Sequence, residues 1–261
     1  MLELQKANFW KRISAWLLDA ILLLMLSVAI ACLLELFLPY RAYVDKANEV
    51  ESIYSAKYAE KYDIESNISK EEYDKLDEET KQKYDKADEE MKNDQEYIEA
   101  YGYAYSMFIN LLLIVVNFSI LFAYLILEFV VPILFKNGQT VGKKVFALGV
   151  MHTNSVRIST LGLFVRTVLG KYTIETMVPA MIFFRMIFFG SGGILGIILI
   201  LLILIMEIFF MATTKGRFSI HDLLSSTVVV DLPSQKIFKD ADELNDYKKR
   251  LHAEMVDKSV Y

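Results

Sequence analysis

The run of residues 13–38 is long and apolar enough to cross a membrane, yet it contains a carboxylate. It comprises 26 residues with Asp19 near its start, and about 20 apolar residues suffice to span the hydrocarbon core. A charged group inside a membrane helix costs about 2.5–3.5 kcal/mol on insertion scales, so Asp19 is expected to face a partner or a water-filled cavity. Arg12 immediately precedes the run. It is seven residues before Asp19, so the two side chains lie on nearly the same helix face.

Three further apolar segments follow along the chain: 105–135, 172–189 and 194–213. Together with 13–38 they predict an all-α membrane protein built on a four-span helical bundle. Residues 158–171 mix charged and apolar side chains and predict an amphipathic interfacial helix before the third span. The glycine-rich segment 190–193 is expected to turn the chain into the fourth span.

The segment between the first two spans, 39–104, has a different composition from the rest of the chain. It holds 19 acidic and 10 basic residues and many tyrosines, so it is expected to extend out of the membrane. One interpretation is a head that binds a partner protein, and the other is a solvated acidic spacer. The chain has no basic excess, so no nucleic-acid partner is expected.

Two helices are predicted within this acidic segment, at about 42–64 and 70–104, and they would form a helical hairpin inserted between spans 1 and 2. Ser69 and Glu72 match a capping box, which predicts the start of the second helix. Tyrosines at every fourth position predict one face of the first helix. These are Tyr54, Tyr58 and Tyr62.

The basic residues outside the spans indicate the orientation of the chain. The head 1–12, the loop 136–157 and the pair Lys215 and Arg217 are all basic. Four spans put all of them on one side, which the positive-inside rule assigns to the cytoplasm. We therefore expect a multi-pass protein of the plasma (cytoplasmic) membrane, with both termini cytoplasmic and the acidic hairpin extracytoplasmic.

A small cytoplasmic β element is predicted from two short segments. In the loop 136–157, residues 145–151 alternate weakly and turn residues follow, which predicts a local strand hairpin. The segment 214–231 is predicted to contain a short helix and then a strand at 226–231. The tail, 232–261, is predicted to contain a surface helix.

Three of the four spans carry one carboxylate at a similar distance from the cytoplasmic end. At about 1.5 Å per residue, Asp19 and Glu207 lie about 9 Å deep and Glu128 about 10 Å deep. Because buried carboxylates can exchange a proton near neutral pH, the three form a candidate cation or proton site. The alternative is a set of interhelical ion pairs that hold the spans together. The basic partners in that case would be Arg12, Arg166 and Arg185.

The sequence predicts no cofactor, no metal site and no enzymatic activity. His152, His221 and His252 are separated and have no neighbouring cysteine ligand. Ser219, His221 and Asp222 are close in sequence, but adjacent side chains on a helix diverge, so they are not expected to form a triad. No nucleophile elbow or HExxH motif is present.

Four segments in this order resemble the RDD family of membrane proteins. They are FWKRISAWLLDAILL at 9–23, NGQTVGKKVFALGV at 137–150, Arg166, and GRFSIHDLLSSTVVV at 216–230. The family is named for one arginine and two aspartates. The match assigns these to Arg12, Asp19 and Asp222.

The resemblance implies a small helical bundle in a prokaryotic cytoplasmic membrane. Most members of the family lack an assigned activity, some have been associated with sodium/proton exchange, and others resemble accessory or immunity proteins. The long acidic hairpin departs from the family pattern, in which the first two spans are joined by a short loop. Asp222 follows the last span closely and is expected to lie near Arg12 at the cytoplasmic interface.

These observations favour a non-enzymatic protein of the lipid bilayer that binds or regulates an extracytoplasmic protein partner through residues 41–104. The alternative is a monovalent cation/proton transporter that uses Asp19, Glu128 and Glu207. Four spans are few for a monomeric secondary transporter, and no inverted repeat is visible. A homo-oligomer would overcome that objection.

Overall fold

The computed structural model describes residues 5, 7–190, 193–214 and 216–259. In chain order its elements are α1 (Phe9–Glu35), α2 (Tyr40–Tyr62), α3 (Lys70–Asp74), α4 (Glu78–Asn93), α5 (Gln95–Phe135), α6 (Val141–Val145), β1 (Leu148–His152), α7 (Thr160–Phe189), α8 (Gly193–Thr213), α9 (Ile220–Leu224), β2 (Thr227–Asp231) and α10 (Ala241–Ser259). The chain forms two compact units, residues 31–118 and residues 1–30 with 119–261.

Four helices, α1, α5, α7 and α8, are long and apolar enough to cross a membrane. The prediction of a mostly helical protein with four candidate membrane-spanning helices is therefore confirmed. Large apolar side chains such as Leu24 and Ile205 are exposed along these helices, as lipid-facing positions require. The expected turn at 190–193 includes Ser191 and Gly192, which lie outside the described residues, as does Lys215.

The helix α7 runs without interruption through a region that the sequence divided into an interfacial helix, 158–171, and a span, 172–189. Residues Val165–Met177 within it are π-helical. Arg166 and Lys171, which suggested an interfacial position, are both buried against other parts of the chain. The charges therefore mark contacts with neighbouring elements, and the helix has no reason to break there.

The unit of residues 31–118 contains the predicted helical hairpin, in which α2 packs against α4. Small side chains are buried in both helices, Ala47 and Ala59 in α2 and Ala87 in α4. The ammonium group of Lys57 contacts Asp94 at 3.0 Å.

The second helix of the hairpin is shorter than the sequence predicted. The capping box at Ser69 and Glu72 is confirmed, but the expected helix at 70–104 is divided into α3, α4 and the first turns of α5. Asp77 and Asp94 are the interrupting residues, and both have extended backbone angles. Aspartate favours such positions because its carboxylate accepts from nearby N–H groups, as Asp94 does from Glu96 at 3.0 Å.

The small sheet pairs β1 with β2 in antiparallel register, from Leu148 opposite Asp231 to His152 opposite Thr227. The prediction that β1 forms a local hairpin within 136–157 was therefore wrong, apart from an isolated bridge between Met151 and Arg157. Both strands are buried along nearly their whole length. The run of valines in β2 fills two apolar clusters, one on each face, which a short local strand would leave open.

Candidate functional site

Asp222, in the first turn of α9, is a buried carboxylate that arginines from two spans contact. Its side chain is only 1% exposed. Arg166 of α7 donates from Nη1 to Oδ1, and Nη2 of Arg12 in α1 lies 3.4 Å from Oδ2. The hydroxyl of Thr227 accepts from Arg166 at 2.7 Å and donates to Asp222 at 3.2 Å. One carboxylate therefore joins α1, α7 and β2 to α9.

Burial and the neighbouring guanidinium groups act in opposite directions on Asp222. Burial alone raises the pKa of a carboxyl group, because it disfavours the charged form. The charge of Arg166, together with those of His221 and Arg12, outweighs this effect and holds the pKa of Asp222 well below its usual range. Asp222 is therefore ionised at physiological pH, and its negative charge attracts both arginines.

The contact between Arg12 and Asp222 that the sequence led us to expect is present. Arg12 makes a second bond as well, because its Nη1 donates to the backbone carbonyl of Arg217 at 2.6 Å. Arg217 has a positive φ of 52° in the loop that joins α8 to α9. The guanidinium group thus fastens the start of α1 to the loop that follows the last span.

Asp19 binds the start of the short helix α6. Its Oδ1 accepts from the backbone N–H of Gly142 at 2.7 Å, and its Oδ2 accepts from the hydroxyl of Thr140. Thr140 is also the N-cap of α6 and accepts from the N–H of Lys143. Since the first N–H groups of a helix have no partner within the helix, Asp19 and Thr140 together satisfy them. The carboxylate in the first span therefore fixes the loop between α5 and β1.

Lys143 lies between the carboxylates of Asp19 and Glu128. Its Nζ is 3.7 Å from Oδ2 of Asp19, and its side chain is buried. Burial lowers the pKa of Lys143 to about 8, helped by the nearby charge of Lys171 and opposed by Glu128 and Asp19. Asp19 is therefore within ion-pair distance of this lysine, and Glu128 acts on it through longer-range electrostatic attraction.

Glu128 and Lys171 form a buried ion pair between α5 and α7, with an N–O distance of 2.6 Å. The backbone at Leu125–Val130 is π-helical, and Pro132 follows it. Proline has no N–H to donate to the carbonyl four residues earlier, which is that of Glu128. The hydroxyl of Thr167 donates to this carbonyl at 2.8 Å. Both the side chain and the backbone of Glu128 are thus bound by α7.

Three carboxylates surround the N-terminus of α9 and accept from three consecutive N–H groups. The N–H of Ser219 donates to Asp222 at 3.2 Å. The N–H of Ile220 donates to Oε2 of Glu207 at 2.9 Å, and that of His221 to Oε1 of Glu175 at 3.0 Å. Negative charge is favoured at a helix N-terminus. The spans α7 and α8 therefore each hold α9 through one glutamate.

His221 connects two of these carboxylates through its ring. Its Nδ1 lies 2.8 and 2.9 Å from the two oxygens of Glu175, and its Nε2 lies 3.0 Å from the hydroxyl of Ser219. That hydroxyl donates to Asp222 at 2.7 Å. The expectation that Ser219, His221 and Asp222 diverge was wrong, because Ser219 is the N-cap and its side chain turns back over the first turn.

The predicted carboxylate layer divides into two groups. Asp19 and Glu128 are neighbours of Lys143, whereas Glu207 lies with Glu175 and His221.

The basic partners differ from the three arginines that the sequence suggested. Lysines pair with Asp19 and Glu128, and the arginines Arg12 and Arg166 pair with Asp222 instead. The third suggested partner, Arg185, is ten residues after Glu175 in α7. At 1.5 Å per residue it lies about 15 Å further along the helix, away from the carboxylate cluster.

Gly142 of α6 lies close to the backbone of α1, so a substitution at this position tests the contact between the two helices. A Cβ atom at this position would lie 2.2 Å from the carbonyl oxygen of Ala15 and 2.9 Å from the carboxylate of Asp19. We predict that Gly142→Ala lowers stability by about 1–3 kcal/mol, the usual cost of overpacking. The thermal unfolding midpoint of the purified protein in detergent measures this.

The matched control is Gly102→Ala, where a Cβ atom would meet nothing within 4 Å. Alanine is about 0.5–1 kcal/mol more favourable than glycine inside a helix, so this variant should keep or raise the midpoint. Equal midpoints for the two variants would contradict the close approach of α6 to α1.

The pair of Glu128 and Lys171 yields a second prediction. Glu128→Leu alone should lower stability by about 3–5 kcal/mol, because it leaves the ammonium group buried without its partner. Combining it with Lys171→Met should restore most of the lost stability, since an apolar pair of similar volume often replaces a buried ion pair without loss. Unfolding midpoints of the single and double variants test this, and a double variant as unstable as the single one would refute it.

The comparison with known proteins agrees with the resemblance in the sequence. The model of the RDD family matches residues 6–226. No curated protein and no solved structure matches the chain at a significant level. The matched region contains Arg12, Asp19 and Asp222, and it covers all four candidate spans. This membrane protein therefore belongs to the RDD family.

Proposed function

We propose that this protein is a non-enzymatic membrane anchor that presents its acidic hairpin, residues 40–94, to a partner protein outside the cytoplasm. The observation that carries the proposal is that residues 31–118 form a compact unit with its own internal contacts. A simple spacer needs no such order, and ordering a chain costs conformational entropy that its contacts must offset. An ordered acidic surface is therefore more consistent with recognition than with spacing.

The interior of the acidic hairpin is held by tyrosines and by ion pairs. The hydroxyl of Tyr58 donates to Asp94 at 2.9 Å, and that of Tyr54 donates to Glu96 at 3.3 Å. The ring of Tyr54 also lies 5.5 Å from that of Tyr97. These contacts keep α2 at a fixed position on its neighbours, so the charged outer surface has a defined shape.

The loop end of the hairpin concentrates negative charge. Residues 60–79 contain nine acidic and three basic residues, and Glu71, Asp74 and Glu79 are exposed. Complementary charge increases the rate and specificity of association more than its raw affinity. The proposed partner is therefore a protein whose contact surface is rich in lysine and arginine.

A groove of about 500 Å³ lies between α2 and α4, and its lining includes Tyr62, Glu89, Lys61 and Lys86. The ammonium group of Lys61 lies over the rings of Tyr58 and Tyr62 and pairs with Glu90. Aromatic faces and carboxylates attract a cation together, so a lysine or arginine of the partner would bind these groups by displacing Lys61.

The membrane part supports the role of an anchor. Asp19, Glu128 and Asp222 each contact a buried cation, and these ion pairs link spans and loops to one another. Groups paired in this way hold a bundle in one arrangement. The basic loop 136–157 supports a cytoplasmic position for the sheet end of the spans, which puts the acidic hairpin on the opposite side of the membrane.

The proposal predicts a salt-sensitive complex that depends on the loop end of the hairpin. The full-length protein, purified from its native membrane in mild detergent at low salt, should retain a stoichiometric partner protein. Glu71→Lys with Glu79→Lys should remove most of that partner, because it reverses charge at the contact. Raising the salt concentration should have the same effect on the wild type.

The matched control is Asp242→Lys with Glu254→Lys in α10, which makes the same change of charge on an exposed helix. This variant should retain the partner in the wild-type amount. Retention of the same partner by both double variants would overturn the proposal.

One observation favours a second candidate, transport of protons or monovalent cations. Unlike Asp19 and Glu128, which contact lysines, Glu207 accepts from a backbone N–H. It lies close to Glu175, a second carboxylate from the neighbouring span. Within the part of the chain that the structure describes, no ion pair fixes Glu207, and such a carboxylate is suited to gain and lose a proton.

The transport candidate predicts ion flux across vesicles that contain the purified protein. Adding sodium or potassium outside should dissipate an imposed pH gradient, as reported by a pH-sensitive dye. Asp19→Asn and Glu207→Gln should abolish the flux, whereas Glu254→Gln in α10 should leave it unchanged. No flux in wild-type vesicles would remove this candidate.

A further inference from the structure

We propose that Glu175, Glu207 and His221 form a binding site for one divalent transition-metal ion of the zinc or manganese class. One ligand atom from each of the three side chains lies within 4.8 Å of the others. The three residues belong to α7, α8 and α9, so they converge from distant parts of the chain. The proposal rests on neither the anchor role nor transport.

The donor set suits such an ion. Imidazole nitrogen is a common ligand of zinc and of other first-row metals, and carboxylate oxygen suits manganese and zinc. Two negative carboxylates match the charge of a dication, while Asp222 pairs with the nearby Arg12 and Arg166. The three ligands therefore supply both the donor atoms and the negative charge that the ion requires.

Each glutamate retains an oxygen that can bind a metal. The Oε2 of Glu207 accepts from Ile220, which leaves Oε1 available. The Oε1 of Glu175 accepts from the backbone N–H of His221, and its Oε2 faces Nδ1 of His221 at 2.9 Å, so a metal ion would bind Oε2 and Nδ1 together. These N–H bonds fix the orientation of both carboxylates. Three protein ligands leave one position of a tetrahedral zinc ion for water.

The hydrogen bonds of the His221 ring match those of a metal-bound histidine. A metal-bound histidine almost always donates its second ring N–H to a fixed acceptor, which sets the tautomer. Here Nε2 of His221 lies 3.0 Å from the hydroxyl of Ser219, and that hydroxyl donates to Asp222 at 2.7 Å. Nδ1, which faces Glu175, is then the ligand atom. A metal ion would then bind Nδ1 on the side of the ring that faces the carboxylate of Glu175.

A metal at this position would clamp the ends of two spans to the segment that carries Asp222. The helix α9 has only five residues, so it gains most of its stability from such tertiary contacts. Ser219 is a positioning residue in this scheme, because it acts on the metal only through the ring of His221.

The test measures binding of Zn²⁺ and of Mn²⁺ to the full-length protein in detergent, by competition with a chromophoric chelator. The wild type should bind one ion per chain. Glu175→Gln and Glu207→Gln should each weaken binding by more than about tenfold, because an amide is a poor ligand yet still accepts the backbone N–H. Ser219→Ala should weaken binding by about 10–100-fold, as outer-shell changes do.

The controls are His252→Ala and Glu254→Gln in α10, which remove the same residue types from exposed positions and should leave the affinity unchanged. X-ray absorption of the zinc-loaded wild type should show nitrogen and oxygen ligands at about 2.0–2.2 Å with an imidazole contribution. Absence of binding to the wild type, wild-type affinity in both Glu→Gln variants, or a spectrum without imidazole would each overturn the proposal. None of these measurements depends on a bound partner protein or on an ion gradient.

Discussion

The buried charge of Asp222 is the interaction on which the membrane unit depends. Removing a carboxylate from water costs several kcal/mol unless partners of opposite charge and good hydrogen bonds replace the solvent. Arg166 and Arg12 supply the charge, and Ser219 and Thr227 supply hydroxyl donors. Because these residues come from α1, α7, α9 and β2, the carboxylate is satisfied only when all four elements are in place.

Like Asp222, the short helices α6 and α9 depend on hydrogen bonds from other parts of the chain. An isolated helix of five residues is not stable in water, because nucleation is unfavourable. In α6 the unpaired N–H groups are satisfied by Asp19 and Thr140, and in α9 by Glu207, Glu175 and Asp222 itself. Acids within the spans therefore determine the structure of the connecting segments, and this accounts for carboxylates placed so close to hydrocarbon.

The sequence predicted the features that depend on local pattern and missed those that depend on distant contacts. Length and apolarity suffice for the four spans, and the family motif suffices for the contact of Arg12 with Asp222. The lysines that pair with Asp19 and Glu128 were missed. Lys143 lies in the segment 136–157, which was predicted to be a loop, and Lys171 was interpreted as a charge at the membrane interface. The partner of β1 was missed as well, since β2 is about 80 residues away in the chain.

The two compact units separate what the RDD motif requires from what this chain adds. Arg12, Asp19 and Asp222 all belong to the unit of residues 1–30 and 119–261, and their described contacts stay within it. The tyrosine and lysine contacts of the acidic hairpin stay within residues 31–118. Because these two sets of contacts involve different residues, the surface of the hairpin can change without loss of the ion pairs that hold the spans. The hairpin surface is therefore free to evolve while the membrane part keeps its motif.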